Sequence, residues 1–251
     1  MNFDVSFIYK IWSFLKTILW KKENIIYINS NKKMQTKENI DEVIKTRKYK
    51  WVICESNTKL GYKFYNIHLI RMKKNLYDIL RNSSDSNDLV YSGFVSPMFS
   101  VYDGYCIGDI RKITFADLDS GTSKAYKVLY QKNYVKKDMD DVINKDTINI
   151  FYECTNDIKS DISADFKYSQ KSGNKVTKQY LQDVYSFTRN TLDFCLKSNV
   201  KRINVYIAAK QPIGFIIGTA IQSYHPTIYV YEFLEGNYQM PLIIQKGKFG
   251  D

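Results

Sequence analysis

The 251-residue sequence predicts an α/β fold built from two fused halves, and three observations predict it. From about residue 51 onward the hydrophobic pattern runs strand, long helix, strand, helix, strand, and then repeats the series. Sliding the chain over itself by 115 residues (180 minus 65) superposes the two series without a gap for about fifty residues. Tyr65 falls on Tyr180, Asn75 on Asn190, Asp78 on Asp193, Ser83 on Ser198, Val90-Tyr91 on Val205-Tyr206, Pro97 on Pro212 and Ile113 on Ile228. Leu69, Met72 and Ile79 meet Val184, Phe187 and Phe194, so the apolar positions follow. In both copies a strand also ends in a polar residue and a proline, Ser96-Pro97 and Gln211-Pro212, which open an apolar helix.

The composition bounds the function classes. With 44% hydrophobic and 25% charged residues, four Pro and eleven Gly, the chain is globular, neither disordered nor collagenous. Cys54, Cys106, Cys154 and Cys195 are widely separated and only His68 and His225 are present, so no Cys/His zinc cluster of the usual short spacing can form. No cofactor is implied, and the four cysteines read as reduced thiols of a cytoplasmic protein. The net charge is +11; residues 1 to 50 hold eleven Lys/Arg against five Asp/Glu, or +6, leaving 26 minus 21, or +5, for the remainder. Such an excess favours anionic partners, whether nucleotides, nucleic acids or acidic lipids. A Lys/Asn/Ile/Tyr-rich composition of the kind an AT-rich genome produces gives the same excess without any site.

Taken in order, residues 1–50 divide into an amphipathic helix and a basic linker. In VSFIYKIWSFLKTILW, from Val5 to Trp20, Ser6, Lys10, Ser13 and Thr17 share one strip of the helix and apolar side chains cover the rest. Sixteen residues rise only about 24 Å, short of a hydrocarbon core of roughly 30 Å, so the helix does not cross a membrane alone. Asp4, the interrupting lysines and the lack of a small-residue cleavage site also argue against a secretory leader. Docking on a partner, lying in a membrane interface and packing on its own domain all suit it. Residues 29 to 50 are polar and lysine-rich, as in a linker.

Residues 51–251 form the body, with a first half of about 51–140 and a second of about 141–251. Each half has a long amphipathic helix (61 to 82 and 176 to 198), a strand (Leu89 to Phe94 and Ile203 to Ala209) and the proline-started helix. Helix N-termini at the carboxyl ends of parallel strands bring unpaired N–H groups and a positive dipole end to one edge of a sheet, where an anion can bind. Lys210, beside Gln211-Pro212, is the best-placed cation for a phosphate, although a solvated loop lysine reads the same way. Asp117 and Glu232 end the following strands, where an acid can accept from ribose or base; any acid at a sheet edge would sit there too. The first strands of the copies end alike, in WVICESN and IFYECTND, and place Ser56, Asn57, Thr155 and Asn156 where a turn or a ligand would use them. Two such halves make a cleft of pseudo-twofold symmetry suited to a roughly symmetric anion.

These residues carry a resemblance. The run YLQDVYSFTRNTLDFCLKSNVKRINVYIAAKQPIGFIIGTAIQSYHPTIYVYEF resembles the C-terminal half of the SAVED domain, the sensor of bacterial CBASS antiphage systems. FVSPMFSVYDGYCIGDIRKITFADLDSGTSKAYKVLY is similar to that domain's first half, and the likeness spans about 51 to 245. It implies two fused Rossmann-like, CARF-like halves that bind a cyclic oligonucleotide made by a CD-NTase-type synthase. It also implies ligand-induced oligomerisation and an activated effector. Carried over by position, the ligand contacts are Ser96 and Phe99 at the first proline-started helix, Lys210 and Gln211 at the second, and Thr155 after the second copy's first strand, with Asp117 and Glu232 as further contacts. The first fifty residues are too few for a nuclease, TIR or protease domain, so an effector in trans or the N-terminal helix itself would carry the output.

A binding module is therefore the leading reading, for no catalytic constellation is visible. A ring-nuclease-like phosphodiesterase, relying on positioning and charge, is the enzymatic alternative. A membrane-associated effector acting through residues 5–20 is the third. Nonspecific DNA or RNA binding fits poorly, because Tyr206, Tyr229 and Tyr231 alternate as in a packed strand, and no specific DNA or RNA partner is implied. No GxGxxG or GxxxxGKS pattern occurs, which excludes common nucleotide-binding enzymes.

Overall fold

The computed structural model describes residues 25–30, 50–55, 65–82, 88–93, 95–108, 112–118, 125–132, 134, 143–158, 161–231, 233–234, 237–238 and 241–245. The helix expected at residues 5–20, together with Ser56, Asn57 and Glu232, lies outside the described residues.

The first half contains β1 (Ile25–Ser30), β2 (Lys50–Glu55), α1 (Tyr65–Asn82), β3 (Leu89–Ser92), α2 (Pro97–Ile107), β4 (Ile113–Leu118) and β5 (Ala125–Tyr130). The second contains β6 (Thr147–Glu153), β7 (Phe166–Tyr168), α3 (Lys178–Lys197), β8 (Arg202–Ala208), α4 (Gln211–Ala220) and β9 (Thr227–Tyr231). A short hairpin, β10 (Phe233–Leu234) and β11 (Asn237–Tyr238), precedes β12 (Leu242–Ile244). The sheets run β2-β1-β3-β4-β5 and β7-β6-β8-β9-β12. In each, the last strand is antiparallel and its companions are parallel. The two sheets thus share one topology, strand for strand. The burial of every residue from Ile203 to Ile207 in β8 suits this arrangement, since a parallel strand buries both faces.

Three expectations need correction. The sheet order places β1, IIYINS, at the heart of the first half, so a boundary at residue 50 cuts through a sheet and 25–30 are not linker. Its flanks are polar and it is short, which left no periodicity to read. By the same order β1 corresponds to β6 and β2 to β7, so WVICESN and IFYECTND are not equivalent strands. Third, the gap-free repeat slips by one residue in β3. Tyr91 faces the helices, its ring 4.3 Å from that of Phe215. Tyr206 faces the opposite side of its sheet, stacked 4.9 Å from Tyr231, while the adjacent Ile207 pairs with Tyr152, whose hydroxyl reaches Thr188 of α3. A strand has a side-chain period of two, so one residue of slip reverses the faces. The equivalent of Tyr91 is Val205, in the same layer as Ile150 and Val230. The long helices slip as well: the buried stripe His68, Met72, Leu76, Ile79 corresponds to Val184, Thr188, Leu192, Cys195.

The halves meet along α2 and α4. An added Cβ at Gly104 would lie 1.9 Å from the Phe215 carbonyl oxygen, and one at Gly218 would lie 2.0 Å from that of Val101. Backbone therefore touches backbone, and only glycine fits. Pro97 and Ser100 adjoin Gly214, and Val101 and Tyr105 adjoin Gly218, so the two helices run in the same direction. Each helix also packs on the other half's sheet: Phe215 of α4 lies 5.4 Å from Phe115 of β4, and α2 lies against β8, β9 and β12. One apolar core consequently spans both halves.

Candidate functional site

Because α2 and α4 are parallel neighbours, their N-termini emerge side by side at the carboxyl ends of the parallel strands of both sheets. Two sets of unpaired N–H groups and two positive dipole ends converge there. The helix starts differ in detail. Ser96 caps α2, its Oγ accepting from the Met98 amide at 3.2 Å. Lys210 is the N-cap of α4 and makes no side-chain cap bond; its carbonyl accepts from Ile213 and Gly214, and its ammonium donates to the Asn174 carbonyl. Beside it, the Ala208 carbonyl accepts from the amides of Cys154 and Thr155, both at 2.9 Å. Thr155 therefore stands exposed within a few residues of Lys210. The fold places Ser96, Thr155 and Lys210 at one edge.

Phe99, Gln211 and Asp117 face inward. Phe99 is buried, its ring edge-on to His68 at 4.5 Å, so it packs α2 on α1 and offers no face to the edge. Gln211 is also buried, and its Nε2 donates to the Tyr91 hydroxyl at 3.2 Å. Asp117 is half-buried near the end of β4 and accepts from the Tyr126 hydroxyl at 3.0 Å. That hydroxyl in turn accepts from the Val176 amide at 2.9 Å, which ties the first half to the loop before α3.

The sequence reading missed this loop. Residues 170–176 join β7 to α3; the Ser172 amide binds the Cys154 carbonyl at 2.8 Å, Asn174 holds Lys210, and Lys175 lies 5.9 Å from the Tyr126 ring centroid. The sequence KSGNK carries a turn signal, but its position beside Lys210 depends on the fold. Also missed was Asp103, fully buried in α2 and accepting from the hydroxyls of Tyr27 at 3.1 Å and Tyr91 at 2.6 Å. Its lone acidic side chain in the apolar run PMFSVYDGYCI was a visible signal.

Neither histidine serves this edge. His225 is buried; its Nδ1 accepts from the Gln222 amide at 3.0 Å, so Nε2 bears the proton and donates to Asp193 at 3.0 Å. Burial lowers its pKa below the usual 6.5, outweighing Asp193. Burial also raises all four thiols, Cys54, Cys106 and Cys195 to about 12 and Cys154 to about 11, far from nucleophilic range. Among the described residues no group of His, Cys, Asp and Glu suits a metal ion, and no helix is long and apolar enough to cross a membrane.

Two Rossmann-like halves in one chain, joined by a parallel helix pair whose N-termini share the strand edge, define the SAVED/CARF fold. The structure is similar to the Acinetobacter baumannii Cap4 SAVED/CARF-domain containing receptor with the cyclic trinucleotide 3′3′3′-cAAA: TM-score 0.56, 12% identity, 95% of this chain and 53% of that chain. The same receptor with 2′3′3′-cAAA gives a TM-score of 0.57 at 12% identity, over 95% of this chain and 55% of that one. The Cap4 receptor of Moraxella osloensis gives 0.54 at 12%, over 88% and 49%. This chain thus spans about half the length of these receptors. No family model and no curated protein matches the sequence.

Proposed function

We propose that this chain is the sensor of a cyclic oligonucleotide second messenger in a bacterial antiphage system of the CBASS type. The observation that carries the reading is the convergence of the α2 and α4 N-termini at a common strand edge, on the pseudo-twofold axis between the halves. A small ring of phosphodiesters repeats its charge around an axis, so it presents anions to both helix ends at once. Lys210 supplies the full positive charge, Ser96 and Thr155 supply hydroxyls, and Gln211 and Asp117 brace the edge from behind. Phe99 supports α2 through His68, and Glu232 serves as an acceptor for ribose or base. The fold's likeness to a receptor whose structures hold cyclic trinucleotides supports the same ligand class. Output passes to an effector through ligand-induced assembly of the chain or through its N-terminal helix.

The test is the melting temperature of the purified chain against cyclic di-, tri- and tetranucleotides, with linear oligonucleotides as controls. Ligand a hundredfold above its dissociation constant stabilises the native protein by about 2.7 kcal/mol. The expected result is a shift confined to one cyclic species, which is recovered intact. No shift with any ring contradicts the reading, and recovery of linear product replaces the sensor with a phosphodiesterase.

A further inference from the structure

The hydrogen bonds behind the edge form a directed chain across the two halves. Tyr27 and Tyr91 are partners in the β1–β3 ladder, with ring centroids 5.7 Å apart, and both aim at Asp103 of α2. Burial, reinforced by the Asp103 charge, pushes both phenols well above their ordinary pKa, so each keeps its proton and donates it to the carboxylate. A hydroxyl has one proton. With that proton given to Asp103, Tyr91 can meet Gln211 only as an acceptor, which fixes the Gln211 amide with Nε2 toward the first half. The order is Gln211 to Tyr91 to Asp103, with Tyr27 closing the carboxylate's other oxygen.

This chain has no twin in the other half. With Gly104 matched to Gly218 across the helix seam and the N-cap Ser96 matched to the N-cap Lys210, the position of Asp103 is taken by Ile217 and that of Gln211 by Pro97, neither of which has a side chain that can hydrogen-bond. The layer occupied by Tyr27 and Tyr91 is occupied by Ile150 and Val205 in the second sheet. The buried carboxylate belongs to the first half and the amide it orders belongs to the second, one residue after the Lys210 cap.

We infer that Tyr91 and Asp103 are positioning residues for the ligand edge: through Gln211 they lock the first turn of α4, and with it Lys210, to the start of α2. The inference rests on the sensor reading for its ligand but not for its mechanics. Tyr91 contacts Phe215 and Phe115 through its ring, so Tyr91→Phe removes the hydroxyl and keeps the packing. Tyr152→Phe is the matched control, because that buried hydroxyl donates at 2.9 Å to Thr188, away from the edge.

The experiment is amide hydrogen exchange of the full chain as wild type, Tyr91→Phe and Tyr152→Phe, read at Ile213 and Gly214, whose amides close the first turn of α4 on Lys210. Tyr91→Phe is expected to speed exchange there about tenfold, and Tyr152→Phe to leave it unchanged although both lose a buried hydroxyl. Gln211→Met, which spares the Tyr91–Asp103 bond, is expected to match Tyr91→Phe and stands in for it should that variant not fold. Equal exchange in all the folded variants overturns the inference. Titration with cyclic di-, tri- and tetraadenylate adds the functional arm. The ring preferred by the wild type should bind Tyr91→Phe about tenfold more weakly and Tyr152→Phe unchanged, and equal affinity for both variants overturns the role in ligand binding. A wild type that binds none of the rings refutes the sensor reading alone, and the exchange rates then decide the lock.

Discussion

Tyr27 shows how a single hydroxyl acquires weight from its surroundings. It is fully buried, and it donates to the equally buried carboxylate of Asp103. A hydrogen bond to a buried charge contributes about 1.5–3 kcal/mol, against about 1 kcal/mol between neutral groups. Tyr27→Phe should therefore cost about 1.5–3 kcal/mol in urea unfolding, clearly more than Tyr152→Phe, which loses only a neutral partner. Equal losses would deny Asp103 its charge. His225 sets the pH dependence. Its native pKa lies below the 6.5 of the unfolded chain, so on acidification through about 6.5 the unfolded state binds a proton that the native state refuses. Stability falls with pH across that window, and melting curves at pH 7.5 and 5.5 should differ more for the wild type than for His225→Gln. The sequence revealed Asp103 as a lone acid among apolar residues and Lys210 as a cation at a helix start. It could not reveal that Gln211 turns inward, because its partner Tyr91 lies in the other half and is set by packing.

The proline-started helices were legible because Pro97 and Pro212 mark first turns whatever the tertiary context. The strand faces were not, since an alignment of residue types tolerates a one-residue slip and a pleated strand does not. The same applies to β1: Ile25, Ile26 and Tyr27, all buried, gain their place from β2 and β3 on either side, not from a pattern of their own. The glycines of the helix seam have a purely geometric task. At Gly218 an added methyl would meet the Val101 carbonyl oxygen at 2.0 Å and the Tyr105 amide nitrogen at 2.8 Å, so α2 and α4 would have to separate. Gly218→Ala should destabilise the chain by about 2–3 kcal/mol in denaturant titration despite its better helix propensity. A neutral or stabilising effect would mean that the helices are further apart than described.

At the scale of the molecule, two copies of one topology have been joined so that a single core holds them and a single edge serves them. The duplication and the α/β class were readable because the order of elements is written in apolar periodicity. The asymmetry of the halves was not: Asp103 against Ile217 and Tyr91 against Val205 become comparable only after the sheets and the helix seam fix the register. Residues 1–50 carry +6 of the +11 charge. The central claim is that the anion sits at the carboxyl edge, between the helix starts. It is tested most directly by one affinity measurement, on the cyclic oligonucleotide selected by the melting panel, with Lys210→Ala and Lys201→Ala beside the wild type. Both lysines flank β8, Lys210 past its carboxyl end and Lys201, exposed and paired with Asp146 at 3.0 Å, before its amino end. A charge-assisted contact is worth about 1.5–3 kcal/mol, so Lys210→Ala should weaken binding at least about tenfold and Lys201→Ala should leave it unchanged. Equal affinities for wild type and Lys210→Ala, or a loss confined to Lys201→Ala, would place the ligand elsewhere and contradict the account.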